Sequence, residues 1–147
     1  MRVWEVTVPA PFVKPVRKRK TGKMFQRGPF LNSNDRDHWR VTHPITADWR
    51  RLAAEAAAAA GLPQGLTRVR IDGLVVKERA GKYDAMNFYP TGKAAVDGLI
   101  DFGLCTDDSN EFVEGPFLLP GGKGAAALIL TITELDTPEL LPNLEEQ

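Results

Sequence analysis

The chain is short of the residues from which many sites are built. Its 147 residues include one cysteine, Cys105, and two histidines, His38 and His43. A single cysteine excludes an internal disulfide and any cysteine-rich zinc site. It leaves a thiol nucleophile or a packed structural thiol, and the packed thiol is the expectation. No apolar run approaches the roughly 20 residues that cross a bilayer. The stretch "AAEAAAAAGL" is a run of small helix formers, not a membrane segment. The N-terminus, "MRVWEVTVPAP", alternates like a strand and lacks the apolar core of a signal peptide. A cytoplasmic protein with no membrane partner is expected. Net charge is also missing, since nineteen Lys and Arg balance nineteen Asp and Glu.

The balance conceals an asymmetry. Residues 1–51 hold twelve Lys and Arg against four Asp and Glu, a net of +8. Residues 52–147 hold seven against fifteen, a net of −8. One reading is a basic half that faces a polyanion and an acidic half that holds a metal. The other is a basic loop offset by a solvated acidic face and an acidic tail.

What is present is ordinary globular material, 43% hydrophobic, in a length that favours one domain over residues 1–147. "VWEVTV" alternates and ends at "PAP", which predicts a strand. Residues 14–44 show neither helical nor strand periodicity and read as a long basic loop. A helix is predicted next, with Thr46 as N-cap, an apolar face of Trp49, Leu52, Ala53, Ala56 and Ala60, and a stop at Gly61 and Pro63. "TRVRIDGLVVK" reads as a buried strand. A loop over 78–90 leads into a second helix from Thr91 to Phe102, with Gly103 as its C-cap. "EFVEGPFLL" and "AAALILTITEL" predict two strands around the turn "PGGKG". The tail, 136–147, reads as an extended arm. The order β-α-β-α-β-β implies a mixed sheet with two main helices in a single α/β or α+β domain.

The chemistry concentrates in "KYDAMNFYPTGKAAVDGLIDFGLCTDDSN". Asp84 follows the second strand. Lys93 and Asp97 are four apart on the second helix and share a face. Asp107 and Asp108 lie beyond its end. That helix is roughly 18 Å long at about 1.5 Å per residue, so its two ends meet only through the fold. Read residue by residue, the alternatives stay open. Asp107 and Asp108 can be turn formers, Asn87 a turn residue, and Lys93 with Asp97 an exposed ion pair. Met86 reads as a buried packing residue. His38 and His43 can serve as a general base or sit at the surface. Trp39 and Phe30 can stack on bases or cap the core, with the core expected for Trp39.

The pattern "D-x-x-N…K-x-x-x-D-G-L…G…D-D-S" resembles the core motif of the RusA family of Holliday-junction endonucleases, whose familiar form is R-D-x-D-N-x-x-K-x-x-x-D-A-L, then G, then D-D. Asp84, Asn87, Lys93, Asp97, Asp107 and Asp108 fall on the motif positions. "VPAP", "LNSNDRDHW" and "LILTITEL" resemble the family's first strand and turn, its Asn-rich stretch and its last strand. Two departures stand out. The family's second acid falls on Met86, a poor ligand for a hard cation, and three extra residues separate Asn87 from Lys93 within "FYPTG". An "N-x-Y-P-T-x-K" form looks like a variant branch of the family.

The resemblance implies a homodimer that uses Mg2+, with Mn2+ as an alternative, to nick four-way or other branched DNA in recombination and repair. It also implies a phage-encoded protein at work in the bacterial cytosol. Asp84 and Asp108 would hold the metal against the scissile phosphate. Lys93 would meet the developing charge. Asp107, Asp97 or the Asn87 carbonyl would take the position Met86 leaves, with Glu78 a weaker choice. Lys14, Arg17, Lys18, Arg19, Lys20, Lys23, Arg27, Arg36 and Arg40 are the expected phosphate contacts. The rival expectations are a branched-DNA-binding module with weak or no catalysis and a structural protein whose acids only form loops.

Overall fold

The computed structural model describes residues 1–79, 81–107 and 111–135. Asp108 and the 136–147 tail lie outside them. The elements are β1 (Val3–Pro9), β2 (Val16–Arg17), β3 (Met24–Phe25), α1 (Trp39–Ala59), β4 (Val69–Lys77), a 3-10 helix (Ala85–Phe88), α2 (Tyr89–Phe102), β5 (Val113–Lys123) and β6 (Ala127–Glu134). The fold is a mixed α+β domain with two main helices, as the periodicity predicts.

Four strands form one sheet in the order β1-β6-β4-β5. β4 and β5 are parallel, which requires a crossover, and α2 supplies it. Alternate residues of the strands face the helices. Val6 and Val8 lie opposite Leu130 and Leu128, and Ile71 and Val75 opposite Ile132 and Leu128. They pack with Trp49, Ala53, Ala57 and Leu99 into one core.

Three expectations are corrected. The first helix begins at Trp39, not after Thr46, and its N-cap is His38, whose side chain accepts the Arg40 N–H. Pro44 therefore lies inside the helix. Its missing N–H and its ring deprive only the Arg40 carbonyl, near an exposed end, so the helix runs through it. The Thr46 hydroxyl donates back to the Thr42 carbonyl at 2.9 Å, a mid-helix habit and not a cap. Second, residues 14–44 are not wholly irregular, because β2 and β3 form a small antiparallel ribbon. Third, β5 runs through "PGGK" to Lys123, and β5 and β6 do not form a hairpin. β4 lies between them, and Gly124 donates to the Lys77 carbonyl at 2.9 Å as the chain crosses the end of β4.

The helix ends behave as expected. Gly61 takes φ +65°, and the N–H groups of Leu62 and Gly61 bond the Ala57 and Ala58 carbonyls, a Schellman closure. Gly103 ends α2 at φ +102°.

The two helices meet through their smallest residues. A Cβ on Gly98 would stand 2.1 Å from the Arg50 carbonyl oxygen and 2.9 Å from the Ala53 Cβ. The backbone of α1 occupies the space that any other side chain at 98 would need. The Gly98→Ala variant is therefore expected to lose roughly 3 kcal/mol, at the upper end of overpacking costs, measured by urea unfolding. A midpoint equal to the parent's would show that the helices are not in such close contact.

Candidate functional site

After β4 the chain turns back, and the Tyr83 hydroxyl donates to the Val75 carbonyl at 2.6 Å. Asp84 then caps the 3-10 helix, its carboxylate accepting the Met86 N–H at 3.1 Å. This helix passes directly into α2, which has Pro90 in its first turn. The "FYPTG" extension is thus built as the end of the 3-10 helix and the opening of α2. Thr91, fully buried, accepts the Leu31 N–H at 2.7 Å and donates to the Leu31 carbonyl at 2.8 Å. Gly92 lies against Pro116 and Leu118, where a Cβ would come within 3.2 Å of both. The Ser33 N–H adds a bond to the Asn87 carbonyl at 2.7 Å. The extension therefore clamps the segment that follows the basic ribbon onto the start of α2.

The expected acidic residues are placed as follows. Asp84 is exposed and has no ion-pair partner among the described residues. Asn87 is half-buried, and its backbone carbonyl is taken by Ser33. Lys93 and Asp97 are half-buried and paired at 2.8 Å on one face of α2. Asp107 is exposed beyond the far end of α2, and Glu78 is exposed after β4. Among the described residues, no three Asp, Glu, His or Cys side chains gather into a metal-holding group. The carboxylates among the expected residues are of the oxygen-donor type that Mg2+ takes. The Asp84, Asp97 and Asp107 carboxylates are hard oxygen ligands, and the outward-facing Asp84 spends one hydrogen bond on its own backbone.

Met86 departs from expectation. It is not buried but 44% exposed, and its sulfur accepts the Leu118 N–H at 3.3 Å. β5 is an edge strand, whose outward N–H groups need partners. The thioether supplies one, so Met86 seals the sheet edge where the RusA motif has an acid.

The expected phosphate contacts divide. Lys14, Arg17, Lys18, Arg19, Lys20, Lys23, Arg36 and Arg40 are exposed. The ribbon holds its own shape, with Arg17 donating to the Gly22 carbonyl at 2.9 Å and the Lys18 Nζ 4.9 Å from the centre of the Phe25 ring. Arg27 is corrected. It is only 6% exposed, and its guanidinium pairs with Asp35 at 2.5 Å and Asp37 at 2.7 Å and also donates to the Gly28 and Phe30 carbonyls. With its donors turned inward, Arg27 is a structural pin and not a phosphate contact.

Trp39 is also corrected. It is 63% exposed at the start of α1, with the His38 and His43 rings 5.8 and 6.1 Å away. Its place in the core belongs to Trp49, whose indole donates to the Pro29 carbonyl at 2.8 Å. Phe30 packs between Trp49 and Phe88, with centroids 5.5 Å from each. Cys105 is buried, and desolvation pushes its thiol up to about 11. It is protonated at neutral pH and is the packed thiol expected.

Sequence reasoning missed Thr91 and the Arg27–Asp35–Asp37 knot. The signal for Thr91 was a polar, β-branched residue beside the small Gly92 at the start of an apolar helix. For Arg27, the signal was two acids placed eight and ten residues on in an otherwise basic segment. Compared with models of known protein families and with curated protein sequences, the chain matches none.

Proposed function

We propose that the protein is a metal-dependent endonuclease for four-way or other branched DNA, of the kind that the RusA-like motif implies. The observation that carries this reading is the loop–helix unit from Asp84 to Asp97. It presents an exposed carboxylate and a half-exposed lysine in one continuous segment, clamped at Leu31 to the segment that follows the exposed basic ribbon. Asp84, with Asp107 and Asp108 from beyond α2, would hold the metal, and Asp97 would orient Lys93. A bound Mg2+ supplies an activated water and a positive charge for the leaving oxygen. Lys93 lies 2.8 Å from Asp97, which directs its ammonium, so that it can meet a phosphate oxygen. The ribbon cations set the register of the backbone without reading sequence.

A homodimer goes with this reading, since a two-fold dimer matches the symmetry of a junction. Its support is an apolar surface on the sheet face away from the helices. Leu74 lies beside Leu119 and Ile129, and Phe117 and Leu119 on the edge strand are 43% and 64% exposed. A second reading, a branched-DNA-binding module without catalysis, is favoured by Met86, whose sulfur is committed to Leu118 in place of a metal-binding acid.

Asp84→Asn separates the two. Asparagine keeps the shape and the bond from Met86 but removes the charge. Nicking of a synthetic four-way junction in Mg2+ is expected to fall by more than about 100-fold, beyond the cost of losing an outer partner to a ligand, while gel-shift affinity stays near the parent's. Cutting by the variant at the parental rate would remove Asp84 from the site. A parent chain that binds without cutting would favour the module.

Neutral replacement of Arg17, Lys18, Arg19 and Lys20 is expected to weaken junction binding and flatten its salt dependence. Each lost phosphate contact lowers the log–log slope by about 0.9. An unchanged slope would mean that the ribbon does not touch the backbone.

A further inference from the structure

Between the ribbon and the end of β4 lies an open cavity of about 490 Å3. This is within the roughly 300–1,000 Å3 typical of small-ligand sites. Phe25, Phe30 and Phe88 form its aromatic wall, and Lys77, Glu78 and Arg79 line it from β4 and the residues after it. Two of the rings are rigidly held. Phe30 and Phe88 stack edge-on at 5.5 Å, and Phe30 is backed by Trp49 at 5.5 Å. The third ring, Phe25, is 43% exposed and carries the Lys18 ammonium 4.9 Å from its centre. The Lys77 ammonium lies 5.2 Å from the Phe88 centroid.

The charges of the wall cancel. Arg27 pairs with Asp35 and Asp37 at 2.5 and 2.7 Å and leaves one negative charge, which the excess of one positive charge of Lys77 and Arg79 over Glu78 balances. Such an interior suits a planar ligand that is itself uncharged, with aromatic faces to stack on and carboxylates and cations at its rim to hydrogen-bond. The surrounding cations suit a ligand that brings phosphates with it. Phe88 ends the 3-10 helix that Asp84 caps, and four residues at about 2.0 Å each put the two roughly 8 Å apart.

We propose that this cavity receives one unpaired nucleobase from the strand whose backbone follows the ribbon, stacked on Phe25 and tethered close to the Asp84 loop. The proposal rests on the branched-DNA reading and gives it a second function, the capture of a base displaced at the branch point. Stacking on aromatic rings tolerates any base and contributes affinity without sequence readout.

The test uses four-way junctions in which 2-aminopurine replaces one base near the exchange point, position by position, bound at saturation by the full chain without divalent metal. At one position, fluorescence is expected to rise several-fold as the base leaves its stack. Phe25→Ala is expected to abolish the rise and to weaken junction binding by roughly tenfold, and Phe25→Trp to bind like the parent. Arg79→Ala, at an exposed residue outside the core, is expected to reduce the rise and serves as the comparison if Phe25→Ala fails to fold. A junction bound and nicked by the parent with no fluorescent position would overturn the cavity proposal and leave the nuclease reading standing. A Phe25→Ala variant with the parent's signal would also overturn it. A parent chain that does not bind the junction at all would sink both.

Discussion

The arrangement depends on one buried hydroxyl. Thr91 gives and receives a hydrogen bond at Leu31, satisfying both backbone groups of a residue sixty positions away. Leu31 is itself 4% exposed, so water cannot replace the hydroxyl. Each backbone group left unpaired there would cost roughly 1–3 kcal/mol. The neighbouring contacts follow from this pair. Ser33 reaches Asn87, Pro29 receives the Trp49 indole, Phe30 closes the aromatic cluster, and Arg27 ties residues 27–37 into a knot. The Asp84 loop and the segment that follows the basic ribbon are held together at the start of α2.

The opposed charges of the two halves of the sequence are partly cancelled in the fold, where Arg2 pairs with Glu134 and Arg50 with Asp101. Arg27 spends its charge on acids of its own half. Arg50 and Asp101 pair across the two halves where α1 meets α2, and the hydrogen bond from Arg50 holds the Asp101 carboxyl below its ordinary range. The contribution of this pair is therefore present above the ordinary carboxylate pKa and lost as pH falls through the lowered value. Both groups are about half exposed, so it amounts to less than about 1 kcal/mol. Among the described residues, the first-half cations outside ion pairs are mostly those of the ribbon, Arg17, Lys18, Arg19, Lys20 and Lys23.

The parts legible in the sequence were those governed by local rules. Alternation gave β1, an apolar run gave β4 as a buried strand, and the 3.6 period with Gly103 gave α2 within two residues of its observed start. The parts that were not legible depend on partners far along the chain. His38 and Pro44 look like loop residues until the helix is seen to begin at Trp39, where a proline costs only one hydrogen bond near an exposed end. β5 and β6 look like a hairpin because they are adjacent in sequence, and only the insertion of β4 between them shows otherwise. Met86 looks like a core residue because it is apolar, and its actual role, accepting the N–H of an edge strand, requires knowledge of that edge. Of the candidate segment, the run from a loop into a helix was legible in the sequence. The reason for its three-residue extension, the clamp on Leu31, could not be read without the fold.

The claim that this clamp makes one working surface out of an acidic loop and a basic ribbon is tested most directly by Thr91→Val, which keeps the shape and removes both hydrogen bonds. The measurement is the rate of Mg2+-dependent nicking of a four-way junction at a temperature where circular dichroism shows the variant folded. The account predicts a folded variant of lower stability, with nicking at least roughly tenfold slower, a loss equivalent to about 1.4 kcal/mol of positioning. A folded variant that nicks at the parental rate would show that the loop and the ribbon do not depend on their common anchor.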